Sequence, residues 1–442
     1  MLTSKSIRIR LALALIMVTL TFSSMSNVQP ASAQGGGPAV GIICTEGPTF
    51  SLTAKSGYIQ MPDMNSMYMW SYAPTGGSFQ HPGPILCVNQ GDTVTINLTN
   101  SLPNTPTTNT TSVPTRASII FPGQENVQAN GSLAQPDLAN NSLTNSVGPG
   151  GNITYSFVAS KPGTFLYESG SDSKLQVPMG LFGALIVRPS TVPPGGLSTN
   201  PADYVYDRAD SQFTPEENFL ALLSEVDPYQ HQAMEMNKPF NMNNYRARYW
   251  LINGRGFPDS IADNFASWLP TQPYGSLARI YPYDATTHPF PGAERYINVG
   301  TEDFPFHPHA NNGLTIGRDG NALEGPGGED LSYEKFSFNI GPGQTWDSIF
   351  KWYDAENYSE SNPVPVPPLD LPNLMLGMFY SGSPYLGQME TLPPGSNTLN
   401  QCGEYYIISH NHALFQLDAF GQVMSGPITY MRVDPPQPNN CP

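Results

Sequence analysis

The run Asp92-Thr93-Val94-Thr95-Ile96-Asn97-Leu98 follows a turn at Gly91 and alternates polar with apolar residues. Side chains two apart on an extended strand share a face, so Val94, Ile96 and Leu98 would line one side of a sheet. Short runs of the same kind recur: Phe50 to Ala54, Ile85 to Val88, Ile153 to Val158, Thr164 to Tyr167, and the fully apolar Leu181 to Val187. Between them lie stretches rich in Pro, Gly, Asn, Ser and Thr, with 45 prolines and 41 glycines in 442 residues. Punctuation of that density suits many short strands and long turns, so the expected fold class is all-β.

The first residues read as a targeting segment. Lys5, Arg8 and Arg10 precede the apolar run Leu11 to Leu20, and Ala31-Ser32-Ala33 supplies small residues for cleavage. This is the pattern of a secretory signal peptide spanning 1–33, cut near Gln34. The apolar run is short for a membrane anchor, and no later stretch would span a bilayer, so no stable membrane insertion is expected after cleavage. Cleavage leaves 16 basic and 35 acidic residues, a net charge of −19. That balance excludes a nucleic-acid role, which needs clustered Lys and Arg. In an exported chain Cys44, Cys87, Cys402 and Cys441 point to disulfides. Of three connectivities, Cys44 with Cys87 and Cys402 with Cys441 is favoured, since each pair would staple one end of the chain.

A first domain is expected over 40–190, with Ser190 to Pro201 as a Pro/Gly/Ser-rich linker and a second domain over 202–442; 202–296 forms a small middle domain in the alternative division. Thr99 to Thr115 reads as a long surface loop and Asn362 to Pro372 as a Pro-rich surface excursion. Phe219 to Val226 fits strand or helix by pattern alone, whereas Tyr249 to Ile252 is a strand entering an Asn253-Gly254 turn. Gly325-Pro326-Gly327-Gly328 is a turn and not a phosphate loop, because no helix signal or Lys comes after it.

Four of the seven histidines fall in two His-x-His pairs, His307/His309 and His410/His412, each at the end of a strand-like run. On an extended strand each pair aims two imidazoles at one point, which is what a metal ion requires. The other histidines carry less. His81 and His288 each precede a proline and read as surface residues. His231 with Met234, Met236 and Met242, and separately Met61, Met64, Met67 and Met69, offer soft donors that more often fill cores.

Several stretches resemble the multicopper oxidase family. Pro82 to Val94 resembles its opening strands. Gly163-Thr164-Phe165-Leu166-Tyr167 and Gly180 to Val187 resemble the end of its first domain. Ile252 to Pro258 resembles a later segment, Phe304-Pro305-Phe306-His307-Pro308-His309 its His-Pro-x-His-x-His motif, and His410-Asn411-His412 its His-Cys-His. The resemblance implies tandem cupredoxin-like Greek-key β-sandwich domains and a copper cofactor. In that family a type 1 copper on one Cys and two His passes electrons to a trinuclear cluster on eight His, where dioxygen becomes water. Matched residue by residue, the type 1 ligands fall on Phe304, Asn411 and Gln416. The four first-domain cluster histidines fall on Ile120, Pro122, Glu168 and Gly170. The four last-domain positions are kept, with His307 implied at the type 2 copper and His309, His410 and His412 at the type 3 pair.

Half a ligand set does not support three coppers, but converging imidazoles suit a single copper or zinc, with Glu168 as a further candidate ligand. Three expectations stay open. One is a secreted oxidase-like enzyme acting weakly on a metal-ion or small-molecule substrate. Another is a non-catalytic exported copper-binding or structural module. The last is a hetero-oligomer whose partner subunit completes the cluster; a homo-oligomer is equally open as an assembly but cannot complete it, since every copy lacks the first-domain histidines.

Overall fold

The computed structural model describes residues 40–309, 312–353 and 405–434. The expected signal peptide, the Cys402–Cys441 pairing and the excursion at 362–372 lie outside these residues. The fold is all-β, two sandwiches in tandem. The first packs a four-stranded sheet, in the order Cys44–Glu46, Ile85–Asn89, Phe182–Arg188, Gly163–Glu168, on a six-stranded sheet. The latter includes Ser66–Pro74, Thr49–Gln60, Thr93–Asn100 and Asn152–Val158. The alternation in Thr93–Asn100 is realised: Val94, Ile96 and Leu98 are buried with Trp70, Tyr72, Phe165 and Leu185 between the two sheets. A disulfide joins Cys44 to Cys87, tying the first strand to its parallel neighbour.

The second sandwich pairs a seven-stranded sheet with a five-stranded one. Asn218–Val226, ambiguous by pattern, is a strand. It runs parallel to Gly292–Asn298 and antiparallel to Tyr249–Ile252, and is buried along nearly its whole length. A strand covered on both faces has no polar side to alternate with, which is why periodicity left it undecided. Asn253 and Gly254 both take positive φ, 53° and 78°, as the predicted turn requires. The five-stranded sheet runs Ala278–Ile280, Ile428–Val433, Tyr405–Asn411, Phe304–Pro308, Phe338–Ile340.

The unbroken apolar character of Phe182–Arg188 has a packing cause. Leu185 and Val187 face the core of the first sandwich, while Phe182, Ala184 and Ile186 pack with Leu220, Leu222, Ile297 and Val299 of the second. At the edge of this junction Arg295 and Asp347, 2% and 1% exposed, form a buried ion pair at 3.5 Å. Asp347 also accepts from Thr164 Oγ1 at 2.5 Å and Tyr206 Oη at 2.6 Å, which offsets the cost of desolvating its charge.

Two expectations are corrected, the unbroken loop at Thr99 to Thr115 and the surface placement of His81. Thr99 to Thr115 contains a small hairpin, Thr105–Pro106 with Ser112–Val113. His81 is wholly buried rather than on the surface, packed edge-on against Phe182. The methionine groups are divided: Met61, Met67 and Met69 lie in one core cluster, Met234 lies in another, and Met64 and Met236 face solvent. His288 is only partly exposed, its Nε2 3.0 Å from the buried Glu217 carboxylate. Among the described residues no helix is long and apolar enough to cross a membrane.

Candidate metal centre

Phe304–Pro308 and Tyr405–Asn411 pair antiparallel with His307 opposite His410 and Phe306 opposite Asn411. Strand alternation then divides the chemistry. Phe304, Phe306 and Asn411, all wholly buried, face the core. The histidines face outward. Pairing continues past both strand ends, through His309 N to Ile408 O at 3.0 Å and His412 N to Pro305 O at 2.7 Å. This brings all four imidazoles together. Ring centroids are 4.6 Å apart for His307 and His309, 5.0 Å for His309 and His410, 5.3 Å for His307 and His412, and 5.6 Å for His410 and His412.

Hydrogen bonds fix which nitrogens carry protons. His307 Nδ1 meets the Phe336 carbonyl at 2.5 Å and His410 Nδ1 meets the Asn411 carbonyl at 2.8 Å. A carbonyl only accepts, so both Nδ1 atoms are protonated, and in the neutral ring Nε2 is then the nitrogen with the lone pair. His410 Nε2 lies 2.9 Å from His309 Nε2, which must be the donor of that contact. Burial, then the neighbouring His410, His307 and His412, pushes His309 down to about 4, and burial first of all lowers His410. Neutral imidazole is the form that binds a metal. As the side chains stand, His309 and His410 share a proton, and among the described residues no group of three or more His, Cys, Asp or Glu is arranged around a common ion position.

Behind the strand, on the core side, lies a polar chain that the sequence pattern did not reveal. Asn411 Nδ2 donates to Gln416 Oε1, Gln416 Nε2 donates to Glu302 Oε2 at 2.8 Å, and Trp250 Nε1 donates to the same oxygen at 2.9 Å. Glu302 carries the one sequence signal available: it lies an even two residues before Phe304, on the approach to the same strand.

The first sandwich holds an equivalent crossing. Ile120 and Glu168 pair antiparallel, with amide-to-carbonyl bonds of 2.8 and 3.2 Å in the two directions. Here the side chains are packed shut. Ser118, Ser142 and Ser171 form a buried triangle of hydroxyls at 2.8–3.2 Å. A Cβ at Gly170 would lie 2.8 Å from Ile120 Cγ2 and 3.1 Å from Ser118 Oγ. Burial pushes Glu168 up to about 7.

Residues 72–192 match the family described as multicopper oxidase. The first sandwich thus carries the match to a multicopper oxidase domain. The whole described fold is similar to that of the multicopper oxidase mgLAC, at 18% identity and TM-score 0.56, over 87% of this chain and 86% of that one. It is also similar to the blue copper oxidase from Nitrosomonas europaea, at 18% identity and TM-score 0.54, over 88% and 85%. No curated protein matches the chain. At this identity the likeness carries the fold and not the chemistry.

Set on the multicopper oxidase framework, the residues divide. The type 1 position does not fit copper, since Phe304, Asn411 and Gln416 supply a phenyl ring and two amides already engaged with each other and with Glu302. The first-domain half of the trinuclear position does not fit either. Ile120 and Pro122 have no donor, Gly170 has no room for a side chain, and Glu168 is a carboxylate in place of imidazole. The four histidines of the second sandwich fit one borderline ion in donor chemistry, and His307 and His410 also in tautomer, but the rings as they stand do not converge on one ion position.

Proposed function

We propose that this chain is an exported protein that uses an inherited multicopper oxidase fold to hold a single copper ion on His307, His309, His410 and His412. The observation that carries the reading is the cluster itself: four imidazoles with centroid spacings of 4.6–5.9 Å on one sheet face, two of them with Nδ1 tied to carbonyls. Copper bound there would supply one-electron redox chemistry. The chain's own residues hold the lone pairs and protons around it. His307 and His410 present Nε2 lone pairs, and His309 holds the proton between itself and His410. Without a type 1 site, electrons have no defined entry, so oxidation of a small-molecule or metal-ion substrate would be slow. Export is supported by the N-terminal pattern and by the Cys44–Cys87 disulfide.

Metal analysis of copper-loaded protein after exhaustive dialysis, with oxygen consumption on phenol and Fe(II) substrates, tests this. One copper per chain with slow turnover is expected. A preparation that retains none would sink the reading.

A second reading is favoured by the surface around the cluster. His412 is exposed, and so is Phe336, 64%, whose ring lies edge-on to His307. A partner subunit seated there would cover the histidines and add ligands. Co-purification from the native host would reveal such a subunit, whereas a monodisperse single-copper protein would speak for the first reading.

A further inference from the structure

The chain of side chains behind the histidine strand has a direction that its chemistry dictates. Glu302 is a carboxylate and only accepts, so Trp250 and Gln416 must both turn N–H groups toward it. With Gln416 Nε2 committed to Glu302, its Oε1 faces Asn411 and can only accept. Asn411 must therefore present Nδ2, which leaves its Oδ1 buried without a partner. An orphaned buried carbonyl costs about 1–3 kcal/mol. The amide is held in this orientation against that cost, in a side chain with no exposed surface.

Asn411 also sits between the two histidines of its pair. Its side chain is anchored on the core side, and its carbonyl receives His410 Nδ1 at 2.8 Å on the other. Holding the side chain holds the peptide, and the peptide decides which nitrogen of His410 is protonated. We propose that Glu302 and Gln416 are positioning residues that act through Asn411 to keep His410 protonated at Nδ1, with its Nε2 lone pair turned into the histidine cluster. The consequence for metal affinity rests on the copper reading above; the tautomer does not. The core face of the strand thereby braces its outer face, and second-layer partners of this kind commonly change metal affinity 10–100-fold.

The test uses the full chain, labelled with nitrogen-15, in metal-free buffer, reading the two ring nitrogen shifts of His410 by NMR. Wild type should show a single Nδ1–H tautomer. Gln416→Met, which keeps the length and removes both amide atoms, and Glu302→Ala should give a mixture of tautomers. Glu302→Gln, which keeps an oxygen able to accept both donors, should restore the single form. Trp250→Phe removes one donor without opening the chain and serves if the others fold poorly; it should give a smaller shift toward mixture. Copper affinity, measured by competition with a chelator, should fall at least 10-fold in Gln416→Met and recover in Glu302→Gln. Unchanged His410 shifts in the folded Gln416→Met and Trp250→Phe proteins would overturn the proposal, whatever happened to their melting temperatures. If the tautomers shift while wild type takes up no copper, the positioning role stands and the copper reading fails.

Discussion

At Ile120 and Glu168 in the first sandwich, and at His307 and His410 in the second, two antiparallel segments meet with the same backbone pairing. The side chains placed there do opposite things. In the first sandwich the space is filled by Ile120, a hydroxyl triangle and a glycine with no room for a side chain. In the second, four imidazoles cluster at a partly open surface. The comparison shows that the crossing is a property of the fold, held by main-chain bonds and the cores beneath it, and that ligands on it are optional. It also shows two ways in which such a position is left without metal donors. One is closure by packing, at Gly170. The other is replacement by a satisfied polar chain, at Asn411, Gln416 and Glu302.

The largest effect should come from emptying the open crossing. Replacing His307 and His410 together by Ala is expected to lower bound copper from about one per chain to near zero, measured by metal analysis after dialysis, while the circular dichroism spectrum stays that of wild type. Copper retained by the double variant would move the site elsewhere in the chain.

Refilling the closed crossing should fail for steric reasons. A histidine at 170 begins with a Cβ 2.8 Å from Ile120 Cγ2, and overpacking of that kind costs about 3 kcal/mol. Urea denaturation of Gly170→His should show a matching drop in midpoint. A variant as stable as wild type would mean that the first sandwich is less tightly closed than its geometry indicates.

The two crossings should also respond to pH with opposite sign. Burial raises Glu168 from 4.5 to about 7. Between those values the folded state holds a proton that the unfolded chain has lost, so this contribution to stability is full below about 4.5 and is lost as pH rises through 7. Glu168→Gln should be more stable than wild type by about 1–2 kcal/mol at pH 8.5, after discounting partial exposure, and equal to it at pH 4. His309 is lowered from 6.5 to about 4, so its contribution is present above 6.5 and is lost as pH falls through 4. A His309→Gln variant should gain on wild type during acidification. Parallel pH curves for the two variants would break the contrast.

How much of this was legible in the sequence depended on the range over which a signal acts. The two His-x-His pairs were readable because a strand carries i and i+2 on one face, and the positions without metal donors were readable because a phenyl ring, an amide or a glycine is visible residue by residue. Val94, Ile96 and Leu98 announced their sheet by alternation. His81 misled, since a histidine before a proline looks like a loop residue and its burial depends on Phe182, a hundred residues away. Glu302 and Gln416 were illegible as partners because their meeting depends on two strands pairing across more than a hundred residues. The Ser118, Ser142 and Ser171 triangle was hidden for the same reason, and it yields the smallest prediction. Ser118→Ala should cost about 1 kcal/mol in thermal unfolding and leave copper binding untouched.

The most direct test of the central claim, that one half-site survives and the electron-entry site does not, is an electron paramagnetic resonance spectrum of the copper-loaded protein with the spin count compared to total copper. A single type 2 signal accounting for about one copper per chain, in a colourless solution, is the predicted result. A type 1 signal with intense blue colour would contradict it.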